Sequence, residues 1–238
     1  MALRLRQICL VAPELEPAVS ALCAALATTV CYEDPHVAKY GLVNALMPLG
    51  NSFLEVVAPT QAGTAAGRYL ERRHGAGGYM VILDCDDIAP WLAHLPTVGV
   101  RVANDLDYPG AYRGLQLHPR DTGGALLEIN HSHGGAWHGP YHPAGPDWTG
   151  NPHEDARIVA AELQSADPAA LAGRWSAILR RAVREAGGVP VIDLDLGSLR
   201  FVAATDGRGE GLGGIDIALP GRPAGDVAML CGTRVRLV

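Results

Sequence analysis

One short apolar stretch occurs twice in this sequence, first as Phe53-Leu54-Glu55-Val56 and again as Leu126-Leu127-Glu128-Ile129. In both copies the glutamate follows a residue of an earlier strand-like run by 48 positions, Gln7 in the first copy and Met80 in the second. A helical pattern opened by acidic residues and a proline comes after each of those earlier runs. Equal spacings with matching residue types indicate a duplicated structural module.

Each copy has the order of one strand, one helix and two or three further strands. A third and more diverged copy begins with an apolar run at Ile158 to Leu163, followed by Asp167-Pro168, which suits the start of a helix. The sequence therefore predicts an α+β fold of repeated βαβββ modules, in which the strands form a curled mixed sheet around a cup.

The repeats divide the chain into three expected parts. Residues 1–130 hold the paired modules, with module one at 1–74 and module two at 75–130, and residues 155–238 hold the third, diverged module. Residues 131–154 are rich in His, Gly and Pro and lack periodicity, which is typical of a loop or linker. Because an unpaired third module cannot close a cup alone, we expect two chains to join as a homodimer.

Composition limits the class of partner. The chain has a net charge of -6 and no dense run of Lys or Arg, which argues against nucleic acid and an anionic membrane surface. Its five cysteines are an odd number without a CxxC pair, so neither a disulfide framework nor a zinc knuckle is expected. The start lacks the pattern of a signal peptide and no apolar run is long enough to span a bilayer, which predicts a cytoplasmic protein.

Glu55 and Glu128 are the first candidates for chemistry, since each lies in an otherwise apolar strand. A carboxylate that faces a sheet interior is costly unless it is paired, coordinated or wet. In each strand, apolar residues occur at both odd and even positions, so the alternation does not show which face of the sheet the glutamate is on. The glutamates face either a shared cavity or the solvent.

The order of Gln7, Glu55 and Glu128 along the two modules resembles the glyoxalase I branch of the vicinal oxygen chelate superfamily, which includes glyoxalases, bleomycin-resistance proteins and dioxygenases. The resemblance covers residue 4 to about residue 130 and implies the glyoxalase-like cup. It also implies a divalent metal held by Gln7, Glu55 and Glu128, with both glutamates catalytic. The position of the fourth ligand is Met80, or Tyr79 if the copies are aligned through Gly78, and neither is the expected histidine.

An oxygen-only ligand set suits Mg²⁺, Mn²⁺ or Ca²⁺ better than Zn²⁺, although Mg, Mn, Ni, Fe and Zn are not distinguished by the resemblance. The segment with His36 and Asn44 resembles an uncharacterised glyoxalase-like subfamily, and His36 is either a substitute imidazole or an exposed loop residue. The residues expected around the substrate are His36, Asn44, Tyr79, Met80, His118, Arg120 and Trp137.

Two functions remain open. The first is a metal-dependent isomerase, lyase or dioxygenase that acts on a small oxygenated metabolite, and the second is a metal-free protein that binds or sequesters a small molecule, as antibiotic-resistance members do. The glycine-rich segment 207–214 lies between two predicted strands rather than before a helix, so a phosphate loop is not favoured. We expect no nucleotide cofactor.

Overall fold

The computed structural model describes residues 2–135, 137–151 and 153–238, and within them the chain forms two seven-stranded mixed sheets. The strands of the first sheet are β1 (Leu3–Val11), β2 (Leu42–Leu49), β3 (Ser52–Pro59), β4 (Gly77–Cys85), β5 (Val102–Tyr108), β6 (Tyr112–Leu117) and β7 (Leu126–Ser132). The helices of this half are α1 (Leu15–Leu26), α2 (Ala65–Arg72), α3 (Ala89–His94) and α4 (Pro119–Thr122). The predicted α+β fold of repeated modules is confirmed.

The first sheet shows the duplication directly in its strand order, β2-β3-β1-β4-β7-β6-β5. The central strands β1 and β4 are antiparallel to each other, and each is parallel to the last strand of its own module. In this register Glu55 lies beside Cys9 on β1, and Glu128 lies beside Ile82 on β4. The two glutamates therefore occupy related places on the two sides of one central pair of strands.

The second sheet has the order β13-β14-β12-β8-β11-β10-β9. Its elements are β8 (Arg157–Ser165), α5 (Pro168–Leu179), β9 (Val183–Ala186), β10 (Val189–Asp193), β11 (Ser198–Ala203), β12 (Gly211–Ala218), β13 (Val227–Leu230) and β14 (Thr233–Leu237). Helix α5 begins as expected, with the carboxylate of Asp167 accepting a hydrogen bond of 2.9 Å from the amide of Ala170.

The third copy has a partner within the same chain, which differs from the expectation that it is unpaired. Strand β12 is antiparallel to β8 and parallel to β14, as β1 is to β4 and β3. Strands β12, β13 and β14 thus correspond to a fourth copy of the module. The described residues place no helix between β12 and β14, so this fourth copy lacks the helical periodicity by which the other copies are recognised. The argument that two chains must combine their third copies therefore loses its basis.

One hydrophobic core joins the two sheets. It takes side chains from both sheets and from the helices, including Trp91 of α3 and Trp175 of α5, which are almost fully buried. Strand β4 packs against β12, and β1 packs against β8. The amide of Leu5 also donates a hydrogen bond of 2.8 Å to the carbonyl oxygen of Leu196.

The opposite face of the first sheet is concave and forms the predicted cup. Side chains alternate between the faces of a strand, so Ile8 and Leu10 enter the shared core while Gln7 and Cys9 point into the cup. At the hairpin between β2 and β3, Gly50 has a φ of +59°, and a Cβ there would collide with the carbonyl oxygen of Ala156. The described residues contain no helix that is both long and apolar enough to cross a membrane.

Candidate active site

A cavity of about 270 Å³ opens in the cup of the first sheet. It is lined by both glutamates, so of the two orientations left open the structure has the one in which they share a cavity. The sequence-predicted site residues that line it are Gln7, His36, Asn44, Glu55, Tyr79, Met80 and Glu128. These residues come from six separate elements of the chain, five strands of the curled sheet and the short segment Pro35–Tyr40, and only the folded chain brings them together.

Glu55 is buried and is held by two side-chain amides. Gln7 Nε2 donates to one carboxylate oxygen at 2.9 Å, and Asn44 Nδ2 donates to the other at 2.7 Å. The amide of Asp34 donates to Asn44 Oδ1 at 2.8 Å, which turns the nitrogen of Asn44 toward Glu55. Burial raises the pKa of Glu55 above its ordinary value of 4.5, and the negative charge of Glu128 adds to this, while the hydrogen bonds from the amides oppose it only in part.

Glu128 has a different set of donors. The Tyr112 hydroxyl donates a short hydrogen bond to Oε1, which also accepts from Asn130 Nδ2 at 3.1 Å, and Gln116 Nε2 donates to Oε2 at 3.0 Å. Burial, and then the charge of Glu128, raise the pKa of Tyr112 well above 10, so its hydroxyl keeps the proton that it donates. Sequence reasoning did not select Tyr112 or Gln116; the only signal was their four-residue spacing on β6, which puts both on one face.

Tyr141 connects the two carboxylates through a chain of hydrogen bonds. Its hydroxyl donates to Gln7 Oε1 at 2.9 Å and accepts from Asn130 Nδ2 at 3.4 Å. Tyr141 is buried and stacks on Phe53 with ring centroids 4.9 Å apart. The residue comes from the His, Gly and Pro-rich segment 131–154, so this segment supplies part of the wall behind the site.

Three of the expected pocket residues lie elsewhere. His118 and Arg120 line a second, adjoining cavity and not the first. Trp137 is also absent from the described lining of the first cavity; its carbonyl oxygen accepts from Arg6 Nη1 at 2.6 Å, and its ring lies 4.9 Å from the Arg6 guanidinium. The sequence analysis expects Trp137 beside the substrate, but the buried guanidinium of Arg6 holds it behind the cup.

The donor set does not fit a metal ion in this arrangement. Gln7 presents its nitrogen to Glu55 and its oxygen to Tyr141, and Met80 supplies a thioether where the resemblance expects an imidazole. Among the described residues there is no group of three or more His, Cys, Asp or Glu side chains that could hold a metal. Binding of a metal by Gln7, Glu55 and Glu128 stays a prediction from the resemblance, and the arrangement of these side chains does not support it.

Comparisons with known proteins identify related sequences over much of the chain. A family model described as a glyoxalase-like domain matches residues 8–179. The mitochondrial methylmalonyl-CoA epimerase of Mus musculus is 27% identical over 128 residues, which are 53% of this chain and 71% of that protein. The corresponding protein of Homo sapiens is 24% identical over 128 residues, covering 53% of this chain and 72% of that protein.

Two solved structures share the fold. A hypothetical protein from Staphylococcus aureus superposes with a TM-score of 0.71 over 100% of this chain and 99% of its own, at 13% identity. A methylmalonyl-CoA epimerase in complex with methylmalonyl-CoA and NH4+ gives a TM-score of 0.51 over 59% of this chain and 100% of its own, at 23% identity. Since the family match spans most of the chain and the duplicated modules form the expected cup, the chain belongs to the glyoxalase-like domain family of the vicinal oxygen chelate superfamily.

Proposed function

We propose that this protein is an isomerase-type enzyme that moves a proton at a carbon atom next to a carbonyl group in a small oxygenated metabolite. One observation carries the proposal, namely that Glu55 and Glu128 are both buried, line one cavity and have different surroundings. Enzymes that abstract and return protons use pairs of carboxyl groups whose environments differ in this way. The curated relatives are epimerases by name, which supports the same reaction class.

The proposed step gives each glutamate one role. The C–H bond beside the carbonyl breaks, its proton passes to a carboxylate oxygen of Glu128, and the electron pair of the bond forms an enolate. Glu55, whose pKa is raised by burial, then donates a proton to the enolate carbon. Glu128 ends protonated and Glu55 ionised, and proton exchange with water restores both after the product leaves.

The rest of the cavity is suited to bind and shield such an intermediate. Tyr79, Met80, Ile82 and Leu126 make much of its wall apolar. A water-poor wall strengthens the electrostatic effect of the few polar groups that face the substrate. Because the ligand set does not fit a metal in the observed arrangement, no step of this scheme passes through one.

The proposal is tested by exchange of substrate protons for deuterium in D2O. A panel of 2-oxo acids, 3-oxo acids and their thioesters is incubated with the protein, and deuterium incorporation is followed by mass spectrometry. For any compound that exchanges, Glu128→Gln and Glu55→Gln are each expected to lower the rate by about 10² to 10⁴, the usual contribution of one acid–base group. Glu71→Gln, which changes an exposed carboxylate on α2, is the matched control and should leave the rate unchanged.

A metal-free protein that sequesters a small molecule is the second candidate. It is favoured by the apolar wall and by the way both carboxylates are already hydrogen-bonded to the protein. Tight binding of a compound that undergoes no exchange, unaffected by a chelator, would replace the isomerase proposal with this one. Conversely, turnover that a chelator abolishes and one equivalent of Mn²⁺, Ni²⁺ or Mg²⁺ restores would assign Gln7, Glu55 and Glu128 to a metal.

A further inference from the structure

A second cavity of about 810 Å³ adjoins the candidate active site and is lined by arginines. We call it the arginine groove, after Arg68, Arg72, Arg73, Arg120 and Arg208. Ala65, Tyr79 and Leu126 line both cavities, so the groove begins where the wall of the active site ends.

The charge of the groove is opposite to that of the protein as a whole. The chain carries a net charge of -6, yet among the described residues the groove has five arginines and a single acidic residue, Glu210. None of the five forms a salt bridge within the part of the chain that the structure describes, whereas Arg101 and Arg200 elsewhere are paired with carboxylates. The charge of Asp206 offsets part of that of Arg73 and Arg208, and the remaining positive charge of the cluster attracts anions.

Two of the arginines are fixed by the backbone. Arg73 is buried, and its Nη1 donates to the carbonyl oxygens of Arg208, Gly209 and Glu210 at 2.7, 2.7 and 2.9 Å, while its buried Nε has no hydrogen-bond partner. Arg208 in turn donates to the carbonyl oxygens of Gly232 and Ala76 at 2.6 and 2.5 Å. Both guanidinium groups are thus held by backbone carbonyl oxygens rather than by a direct ion pair, and Asp206 is the carboxylate whose charge acts on both.

The other three arginines are exposed; Arg68 Nη1 donates to the carbonyl oxygen of Gly63 at 2.6 Å, and the Arg72 guanidinium lies 5.1 Å from the centroid of the Tyr69 ring. Arg68 and Arg72 lie one turn apart on α2, and Arg120 lies on α4 across the groove. The planar guanidinium group binds the oxygens of a phosphate in pairs, which makes arginine the residue suited to phosphate groups. The glycine-rich segment 207–214 contributes Arg208, Gly209 and Glu210 to the lining of the groove.

We propose that the arginine groove binds a phosphate-bearing tail, such as a diphosphate ester, of the substrate whose carbonyl end enters the candidate active site. The inference rests on the proposed function for the role of the carbonyl end, but the anion site itself follows from the groove. A nucleic acid is disfavoured, because its phosphates need an extended basic surface, whereas this chain has a net charge of -6.

Titration calorimetry with inorganic pyrophosphate tests the groove. Binding to the unmodified protein is expected, with an affinity that falls as NaCl is raised. Arg72→Ala and Arg120→Ala should each weaken the Kd on the order of tenfold, since each removes an exposed positive charge from the groove. Arg157→Ala, an exposed arginine on β8 outside the groove, is the matched control and should leave the Kd unchanged. Absence of binding, or equal losses in all three variants, would overturn the proposal.

Two further binding measurements distinguish a substrate tail from a free phosphate ion, and the proposed groove from the proposed isomerase activity. An alkyl diphosphate ester should bind as pyrophosphate does, and if only the free ion binds, the groove does not serve a substrate tail. Glu128→Gln should bind pyrophosphate like the unmodified protein. Retained binding with no proton exchange in any compound would leave the groove standing and remove the isomerase, whereas exchange without pyrophosphate binding would do the reverse.

Discussion

Glu128 shows how much of this site depends on contacts between residues far apart in the sequence. In the register of β6 and β7, Gln116 lies directly opposite Glu128, and Gly114 lies opposite Asn130. Because Gly114 has no side chain, the ring of Tyr112 can lie across it, and a Cβ there would collide with the Tyr112 hydroxyl. The hydroxyl thereby reaches the carboxylate of Glu128.

Replacement of Tyr112 by phenylalanine should therefore destabilise the protein. The variant Tyr112→Phe leaves the buried carboxylate of Glu128 with one donor fewer, and the expected loss is about 1–3 kcal/mol of unfolding free energy. Urea denaturation followed by circular dichroism measures it. Tyr40→Phe, which removes the hydroxyl of an exposed tyrosine, is the control and should change stability by less than about 0.5 kcal/mol. Equal urea midpoints for Tyr112→Phe and the unmodified protein would contradict the assigned hydrogen bond.

At the scale of strands, the two sheets use equivalent positions differently. In the second sheet, Asp216 on β12 accepts hydrogen bonds from Arg200 on β11 and from Arg236 on β14, and Glu162 on β8 pairs with Arg234 and Arg200. These side chains are ion-paired to each other. The first sheet instead lines its cup with two glutamates whose hydrogen-bond donors are neutral, so neither carboxyl group is tied up in an ion pair.

The variant Asp216→Asn tests this structural role. Burial alone would raise the pKa of Asp216, but the hydrogen bonds from Arg200 and Arg236 lower it below its ordinary value of 3.8. A lowered pKa in the folded state means that the ion pairs stabilise the protein above pH 3.8 and that this contribution is lost as pH falls through the folded-state pKa. At pH 7 the expected cost is about 3 kcal/mol, because Arg236 loses its carboxylate partner and Arg200 keeps only Glu162.

Urea denaturation between pH 7 and pH 3 measures both the cost and its pH dependence. The difference in stability between the unmodified protein and Asp216→Asn should become smaller toward the acidic end. Asp155→Asn, at an exposed aspartate, is the control and should show no such trend. A difference that stays constant over the whole range would mean that Asp216 does not stabilise the fold through its charge.

At the scale of the whole molecule, the shared core makes the two sheets one folding unit. The contacts of β1 with β8 and of β4 with β12 bury apolar surface from both halves. Separation would expose this surface at about 25 cal/mol per Å². We expect one cooperative unfolding transition, in which native-state hydrogen exchange gives the same opening free energy for the central strands of both sheets. Distinctly weaker protection of β8 and β12 than of β1 and β4 would show that the halves unfold separately.

The repeat and the α+β class were recognisable from the sequence, because residue spacing and alternation record local structure, and the family resemblance pointed to Gln7, Glu55 and Glu128. The paired third copy was not, since β12 and β14 lack the helix whose periodicity marks the other modules. The facing of the glutamates, the donors Tyr112 and Tyr141 and the arginine groove also needed the folded chain. Each depends on strand register or on packing between distant segments, and neither leaves a local pattern in the order of residues.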